Sequence, residues 1–235
     1  MIVNKLSKRY LTDNGEKIIF ENFSTSFADG KVTVVMGESG VGKTTLLNCI
    51  ANLTDFEGEI VGADSVSYVF QDDRLILDKT IYKNIEFVLL QKDKKEREKR
   101  IKKSLEMTEL LDQSCKFPSE LSGGQRKRAS LARAFASDRQ IILLDEPLSS
   151  LDVGLKFRIY DVMKKLFKAE NKTVIMVTHD IDEALTLADE IIYIDNGGTR
   201  YRKQITTDVF SRDIVGQECN AVRKDLIDIF KNLRK

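Results

Sequence analysis

The nine residues Gly37-Glu38-Ser39-Gly40-Val41-Gly42-Lys43-Thr44-Thr45 stand between an apolar run, Val32 to Met36, and the helix-forming Leu46-Leu47-Asn48-Cys49-Ile50-Ala51. No other stretch constrains the chain as much. A buried strand, a glycine-rich turn and a helix in that order commit their surroundings to an α/β core. The glycines let the backbone curl so that successive N–H groups point into one concavity. Lys43 can then reach the outer phosphates of a nucleotide, and the Thr44 hydroxyl can take a place on Mg²⁺. The stretch reads as a phosphate-binding loop, and the chain is expected to bind a nucleoside triphosphate.

Before this loop, short β-prone runs alternate with turn residues: Ile2 to Leu11, a turn at Asp13-Asn14-Gly15-Glu16, Lys17 to Phe20, Phe23 to Phe27, and a turn at Asp29-Gly30. Antiparallel strands are expected there. Tyr10 closes the first of them; its ring is suited either to stacking on a base or to packing on neighbouring strands. After the loop and its helix, Glu57 to Val61 and Ser65 to Phe70 read as strands, the second ending at Gln71-Asp72-Asp73-Arg74. Strand ends are where α/β folds place ligand groups, and Gln71, both donor and acceptor, suits contact with Mg²⁺ or an attacking water.

From about Thr80 to Ala136 the pattern turns helical. The mixed charge run Lys92 to Lys103 reads as a solvated helix face, with partner contact as the other reading. Leu121-Ser122-Gly123-Gly124-Gln125 then opens a helix. Ser122, Gly123 and Gly124 form either a plain N-cap or a second anion-ready site at the positive end of a helix dipole. Gln140 to Leu144 is a strand apolar on both faces that delivers Asp145 and Glu146 to its carboxyl end, where Asp145 can hold Mg²⁺ and Glu146 can polarise a water for attack on the γ-phosphate. A turn ending in Asp152 leads into a helix with Leu155, Ile159, Val162, Met163 and Leu166 at helical spacing. Lys172 to Val177 is a strand ending in Thr178-His179-Asp180, and His179, the sole histidine, is read as a participant in catalysis. A short helix (181–188), a strand (190–194), a turn at Asn196-Gly197-Gly198 and an amphipathic segment from about Asn220 to Lys235 complete the chain; Val222, Leu226, Ile229, Phe230 and Leu233 of that segment either cap the core or meet a partner.

Bulk properties narrow the function classes. With 38 basic against 37 acidic residues the net charge is +1, so no overall field favours nucleic acid. The three cysteines are widely spaced, which fits reduced thiols rather than a disulfide framework or a zinc site. No apolar run reaches the roughly 20 residues of a membrane span, and no secretory leader is expected.

Taken jointly, Tyr10, the phosphate loop, Gln71, Leu121 to Gln125, Asp145-Glu146, Asp152 and His179 make the chain resemble the ATP-binding cassette of an ABC transporter, from Tyr10 to about Tyr201. The resemblance implies an α/β P-loop NTPase fold: a RecA-like core with a mainly parallel sheet, an antiparallel β subdomain at the N-terminus and an inserted α-helical subdomain. It implies a single cassette, with core and β subdomain over about 1–78 and 138–235 and the helical, signature-bearing subdomain over about 79–137. In such proteins two copies lie head to tail, and each ATP sits between one copy's phosphate loop and the other's signature. Tyr10 would stack on adenine. Gly37 to Thr45 would hold the phosphates, and Thr44, Gln71 and Asp145 would hold Mg²⁺. Ser122, Gly123, Gly124 and Gln125 would meet the partner's nucleotide, and Asp152 would link the two sites. Glu146 would be the general base, assisted by His179 and Gln71.

Val69 to Leu75 and Thr178 to Ala184 resemble ATPases of importers for nitrate, sulfonates, taurine and related small molecules. Those relatives usually carry Pro-Trp where this chain reads Ile76-Leu77-Asp78-Lys79, near the surface that receives the permease. The implied protein is a peripheral ATPase on the cytoplasmic face of the membrane, working with a transmembrane permease and an external solute-binding protein. The competing readings are the ATPase of an exporter or lipid-extracting complex, and a soluble cassette protein acting outside transport.

Overall fold

The computed structural model describes residues 1–12, 15–149, 151–195 and 198–232. Asp13 and Asn14 of the first expected turn, Ser150, Asn196 and Gly197 of the late turn, and Leu233 lie outside the described residues. The chain divides into two compact units, Met1–Asp64 with Thr173–Lys235, and Ser65–Lys172.

In the first unit, β1 (Ile2–Thr12) pairs antiparallel with both β2 (Gly15–Ser26) and β4 (Glu57–Val61). The runs 17–20 and 23–27, expected as separate strands, belong largely to the single strand β2. Asn22 explains why. Its φ of 53° places it in the left-handed region, and its N–H donates to Ser7 Oγ at 3.0 Å. It therefore adds a bulge instead of turning the chain. Phe20 and Phe23, three apart, would face opposite ways in a regular strand; the extra residue puts both on the buried face with ring centroids 4.9 Å apart.

The continuous apolar runs form β3 (Val32–Met36), β7 (Thr173–Val177) and β8 (Glu190–Asp195), and β3 lies between β7 and β8, parallel to both. Every residue of β3 and β7 is buried, as a parallel strand covered on both faces requires. β9 (Gly198–Gln204), too polar to stand out in the sequence, adds antiparallel to β8. It is secured by Arg202, whose guanidinium donates to both Glu190 carboxylate oxygens at 3.2 Å, to Thr25 Oγ1 at 2.8 Å and to Ser26 O at 3.0 Å.

The helices of this unit are α1 (Lys43–Ile50), α6 (Ile181–Leu187) and α7 (Gln217–Asn232). α7 caps the core: Val222 and Leu226 are fully buried, and the Phe230 ring meets Tyr193 edge-on at 5.3 Å. Its first turn is anchored by Glu218. That carboxylate accepts from the Thr207 hydroxyl, from the Thr206 N–H and hydroxyl at 2.7 Å each, and from the Thr207 N–H at 3.1 Å. These bonds hold the Glu218 carboxyl down to about 2. A depressed carboxylate stabilises the fold above its unfolded value of about 4.3 and stops doing so as pH falls toward the folded value. Glu218→Gln is thus expected to cost about 1 kcal/mol at pH 7 after screening by solvent. Chemical denaturation of both proteins at several pH values should show the gap closing between about pH 4.3 and 2.

In the second unit, β5 (Val66–Val69) and β6 (Ile141–Asp145) pair in parallel. Its helices are α2 (Ile81–Glu86), α3 (Lys94–Met107), α4 (Gly123–Ala136) and α5 (Val153–Glu170). Ile81, Ile85, Ile101, Leu105, Ala129 and Ala132 belong to one buried cluster that joins α2, α3 and α4. The charge run behaves as a solvated face: Ile101 and Leu105 point inward, while Glu96 pairs with Arg100 at 3.1 Å and Lys102 with Glu106 at 3.8 Å. On α5, Ile159, Val162, Met163 and Leu166 are buried, as their spacing requires.

Candidate nucleotide-binding and hydrolysis site

The phosphate loop lies in the first unit, between β3 and α1. Gly42, at φ 106°, starts α1, and a Cβ there would lie 2.4 Å from Ile19 Cγ2, so only glycine allows this turn against β2. Lys43 is buried, and its ammonium donates to Gly37 O at 2.8 Å and Glu38 O at 2.7 Å, which folds it back over the loop. No side chain caps α1, whereas Thr80, Asp93, Ser122, Asp152 and Asp180 cap α2, α3, α4, α5 and α6. A helix start whose N-cap residue, Gly42, makes no side-chain bond, preceded by glycines and carrying a buried ammonium, fits an oligophosphate.

Two more expected residues share this unit. Tyr10 is 38% exposed on β1, with Lys8 Nζ 4.7 Å over its ring. Lys8 is itself buried and donates to Asp55 Oδ1 at 2.8 Å, a bond that raises its amine above the ordinary value. The aromatic ring thus has a fixed cation over it and is in part exposed. His179 follows β7 and is exposed. Its backbone is fixed on either side, because Thr178 Oγ1 donates to Glu183 Oε2 at 2.7 Å and accepts from the Asp180 N–H at 3.1 Å.

The remaining expected residues lie in the second unit. Asp145 ends β6 and is buried, with the Tyr68 hydroxyl donating to its Oδ2 at 3.3 Å. Desolvation, with the Asp145 charge next, pushes the Tyr68 phenol well above its ordinary value, so Tyr68 stays a donor to that carboxylate. Glu146 takes φ 42° directly before Pro147. A non-glycine residue in the left-handed region is a strained conformation, kept where the surrounding structure enforces it. Ser149 bridges to Gln71: its hydroxyl donates to Glu146 O at 3.1 Å and accepts from Gln71 Nε2 at 3.3 Å.

Ser122 caps α4, as the plain N-cap reading of this stretch has it. Its Oγ accepts from Gln125 N at 3.3 Å, while Gln125 Oε1 accepts from Ser122 N at 2.9 Å, a reciprocal cap. The cap uses the hydroxyl oxygen as acceptor and does not use its proton. Gly123 is exposed, and Gly124 is buried so tightly that a Cβ would lie 2.6 Å from both methyls of Leu155. Asp152 caps α5 by accepting from Leu155 N at 3.0 Å.

Sequence reasoning missed Tyr68, Ser149 and Lys127. Lys127 left a signal: it falls on the buried stripe of α4 that includes Gly124, Leu131 and Ala134, where a charge is out of place unless it has partners.

The ABC transporter family model matches residues 20–149. The aliphatic sulfonates import ATP-binding protein SsuB of Bacillus cereus is 32% identical over 97% of this chain and 95% of its own length. The maltose/maltodextrin import ATP-binding protein MalK of Vibrio vulnificus is 37% identical over 78% of this chain, which matches 53% of that protein. A solved dimeric ATP-binding cassette in a post-hydrolysis state, bound to ADP and phosphate, is 30% identical with a TM-score of 0.76, covering 88% of this chain and 99% of that one. The α/β fold, with its parallel strands, its antiparallel sheet and its helical stretch, agrees with that match, and the chain belongs to the ABC transporter family as an ATP-binding and hydrolysing cassette.

Proposed function

We propose that two copies of the chain close head to tail on two ATP molecules and drive solute import through a separate transmembrane permease. The observation that carries this reading is that glycines flank two helix starts in different units, that of α1, with no side-chain bond from its N-cap, and that of α4, and either start would suit an anion. A single nucleotide needs one phosphate loop. The second start is accounted for when it meets the γ-phosphate bound to another copy, and the solved relative is a dimer.

In this arrangement Tyr10 stacks on adenine and Gly37 to Thr45 hold the phosphates. Thr44, Gln71 and Asp145 offer hydroxyl, amide and carboxylate oxygens, the hard donors that suit Mg²⁺, and would hold that ion; when bound, it neutralises charge on the β- and γ-phosphates. A Glu146 carboxylate oxygen accepts a proton from the attacking water as the water oxygen bonds to the γ-phosphorus and the bond to ADP breaks. His179 holds the γ-phosphate and the water in line. Ser122, Gly123 and Gly124 meet the γ-phosphate from the other copy, and Asp152 carries the state of one site to the other. The stretch of about 79–137 forms the helical subdomain that presents the signature.

The names of the relatives support import of a small molecule, and the SsuB match extends over nearly the whole of both chains. A permease has a surface to use. Phe87 is 60% and Leu90 58% exposed beside α2, and Leu77 is 74% exposed in the preceding loop. That loop is shaped by buried Asn84, which accepts from Ile76 N at 2.8 Å and donates to Ile76 O, Lys79 O and Thr80 O. No helix among the described residues is long and apolar enough to cross a membrane, and we place the protein at the cytoplasmic face through its permease. Isolation of the chain from its native membrane is expected to bring down a multi-span permease. ATPase activity of that complex should rise with a solute-binding protein and its solute. Recovery with nucleic acid or a scaffold instead of a permease would overturn the transport reading.

A further inference from the structure

We infer that Lys127 is a positioning residue that locks the Gln71 loop onto the signature helix, so that contact of Ser122 with one nucleotide sets Gln71 and Asp145 at the other. This inference rests on the head-to-tail reading above.

Residues 70–74 form no helix or strand, and their shape comes from α4. Lys127 is 2% exposed, and its ammonium donates to Gln71 O at 2.9 Å and Phe70 O at 3.3 Å and pairs with Asp73 Oδ1 at 3.3 Å. Six residues along the same helix, Arg133 donates to Arg74 O at 2.9 Å and Asp73 O at 3.4 Å. Arg126 adds an ion pair with Asp73 Oδ2 at 3.5 Å. Four carbonyls of one five-residue loop thus end on cations of one helix.

A buried ammonium is a costly way to fill space, and an apolar side chain would pack α4 without desolvating a charge. What the ammonium adds is direction: three donors that fix where the Gln71 backbone lies. The helix that does this starts at Ser122, five residues earlier, and its first turns are rigid through the reciprocal cap and hydrogen bonding within the helix. The far side of the loop leads on to Asp145. The Arg74 guanidinium lies 3.6 Å over the Phe70 ring, Phe70 stacks on Tyr68 at 4.1 Å, and the Tyr68 hydroxyl reaches the Asp145 carboxylate. A displacement of α4 therefore moves the loop and, through the stacked rings, bears on Asp145.

The test uses the full chain, with Lys127→Met, Lys127→Arg, Asp73→Asn and Glu146→Gln compared with wild type. Lys127→Met is expected to lower kcat about tenfold and leave the KM for ATP within about twofold, with ATP binding by the dilute subunit unchanged. Hydrogen exchange of the Gln71–Arg74 amides should be faster in this variant with or without ATP. Lys127→Arg, which keeps a donor cation, should restore part of kcat and of the protection. Wild-type kcat together with wild-type exchange in Lys127→Met would overturn the inference. If Lys127→Met does not fold, Asp73→Asn takes its place: about a threefold fall in kcat with faster loop exchange supports the lock, and no change in either overturns it. Glu146→Gln separates this result from the underlying reading. A Glu146→Gln chain that dimerises in MgATP beside a fully active Lys127→Met removes the lock alone, whereas a Glu146→Gln chain that stays monomeric in MgATP removes the head-to-tail reading.

Discussion

Glu146→Gln is expected to lower ATP turnover by roughly 10²–10⁴-fold, the range lost when a general base is removed, and to leave a dimer that ATP closes and hydrolysis no longer opens. Glutamine keeps the length and shape of the side chain but cannot take a proton from water at neutral pH. It also keeps the backbone demand, since the residue at this position must adopt φ 42° before Pro147 and glutamine meets that strain no worse than glutamate. The change is therefore chemical, with little reason for the fold to suffer. Steady-state phosphate release measures the first effect, and light scattering after size exclusion in MgATP measures the second. Turnover within a few-fold of wild type would remove Glu146 from the mechanism. A variant that is inactive yet stays monomeric, under conditions where a two-cassette complex is stable, would leave the role of base without its support.

Ser122→Phe is expected to abolish hydrolysis while ATP binding by the monomer survives. The two effects separate because the residues that would hold a chain's own nucleotide, Tyr10 and Gly37 to Thr45, lie in one unit and Ser122 in the other. The ring would occupy the space in front of the α4 start, where a second copy's γ-phosphate would sit. Loss of the Ser122 cap also costs about 1 kcal/mol of helix stability, too little to unfold the protein. Fluorescent-nucleotide titration of the dilute subunit and an ATPase assay at high protein concentration read the two quantities independently. A monomer that no longer binds ATP would mean that the signature acts within its own chain.

The strand, glycine turn and helix around Lys43 and the cap at the start of α4 were legible in the sequence because each is local. A phosphate loop needs its glycines and lysine at fixed spacing, and the Ser122–Gln125 cap is a four-residue pattern. Buried strands such as β3 and β7 were legible as unbroken apolar runs. What escaped depends on partners distant in sequence. The left-handed Asn22 that joins two expected strands is stabilised by Ser7, fifteen residues away, and a hydropathy pattern does not distinguish a bulge from a turn. β9 is held at its edge by Arg202 bonding to β2 and β8, so its own composition says little. Lys127 is a buried cation whose acceptors, the carbonyls of Phe70 and Gln71, carry no mark in the sequence at all.

Gly124 also sets a distance between two helix starts. With no side chain there, the first turn of α4 presses directly on Leu155 in the first turn of α5, and Leu155 is the residue whose N–H Asp152 caps. The two points that would touch a second copy, Ser122 and Asp152, are thereby set at a separation fixed by packing. A cassette from another transporter could share every nucleotide-binding residue and still mismatch that gauge. Selectivity for its own kind would then come from the spacing of two helix starts.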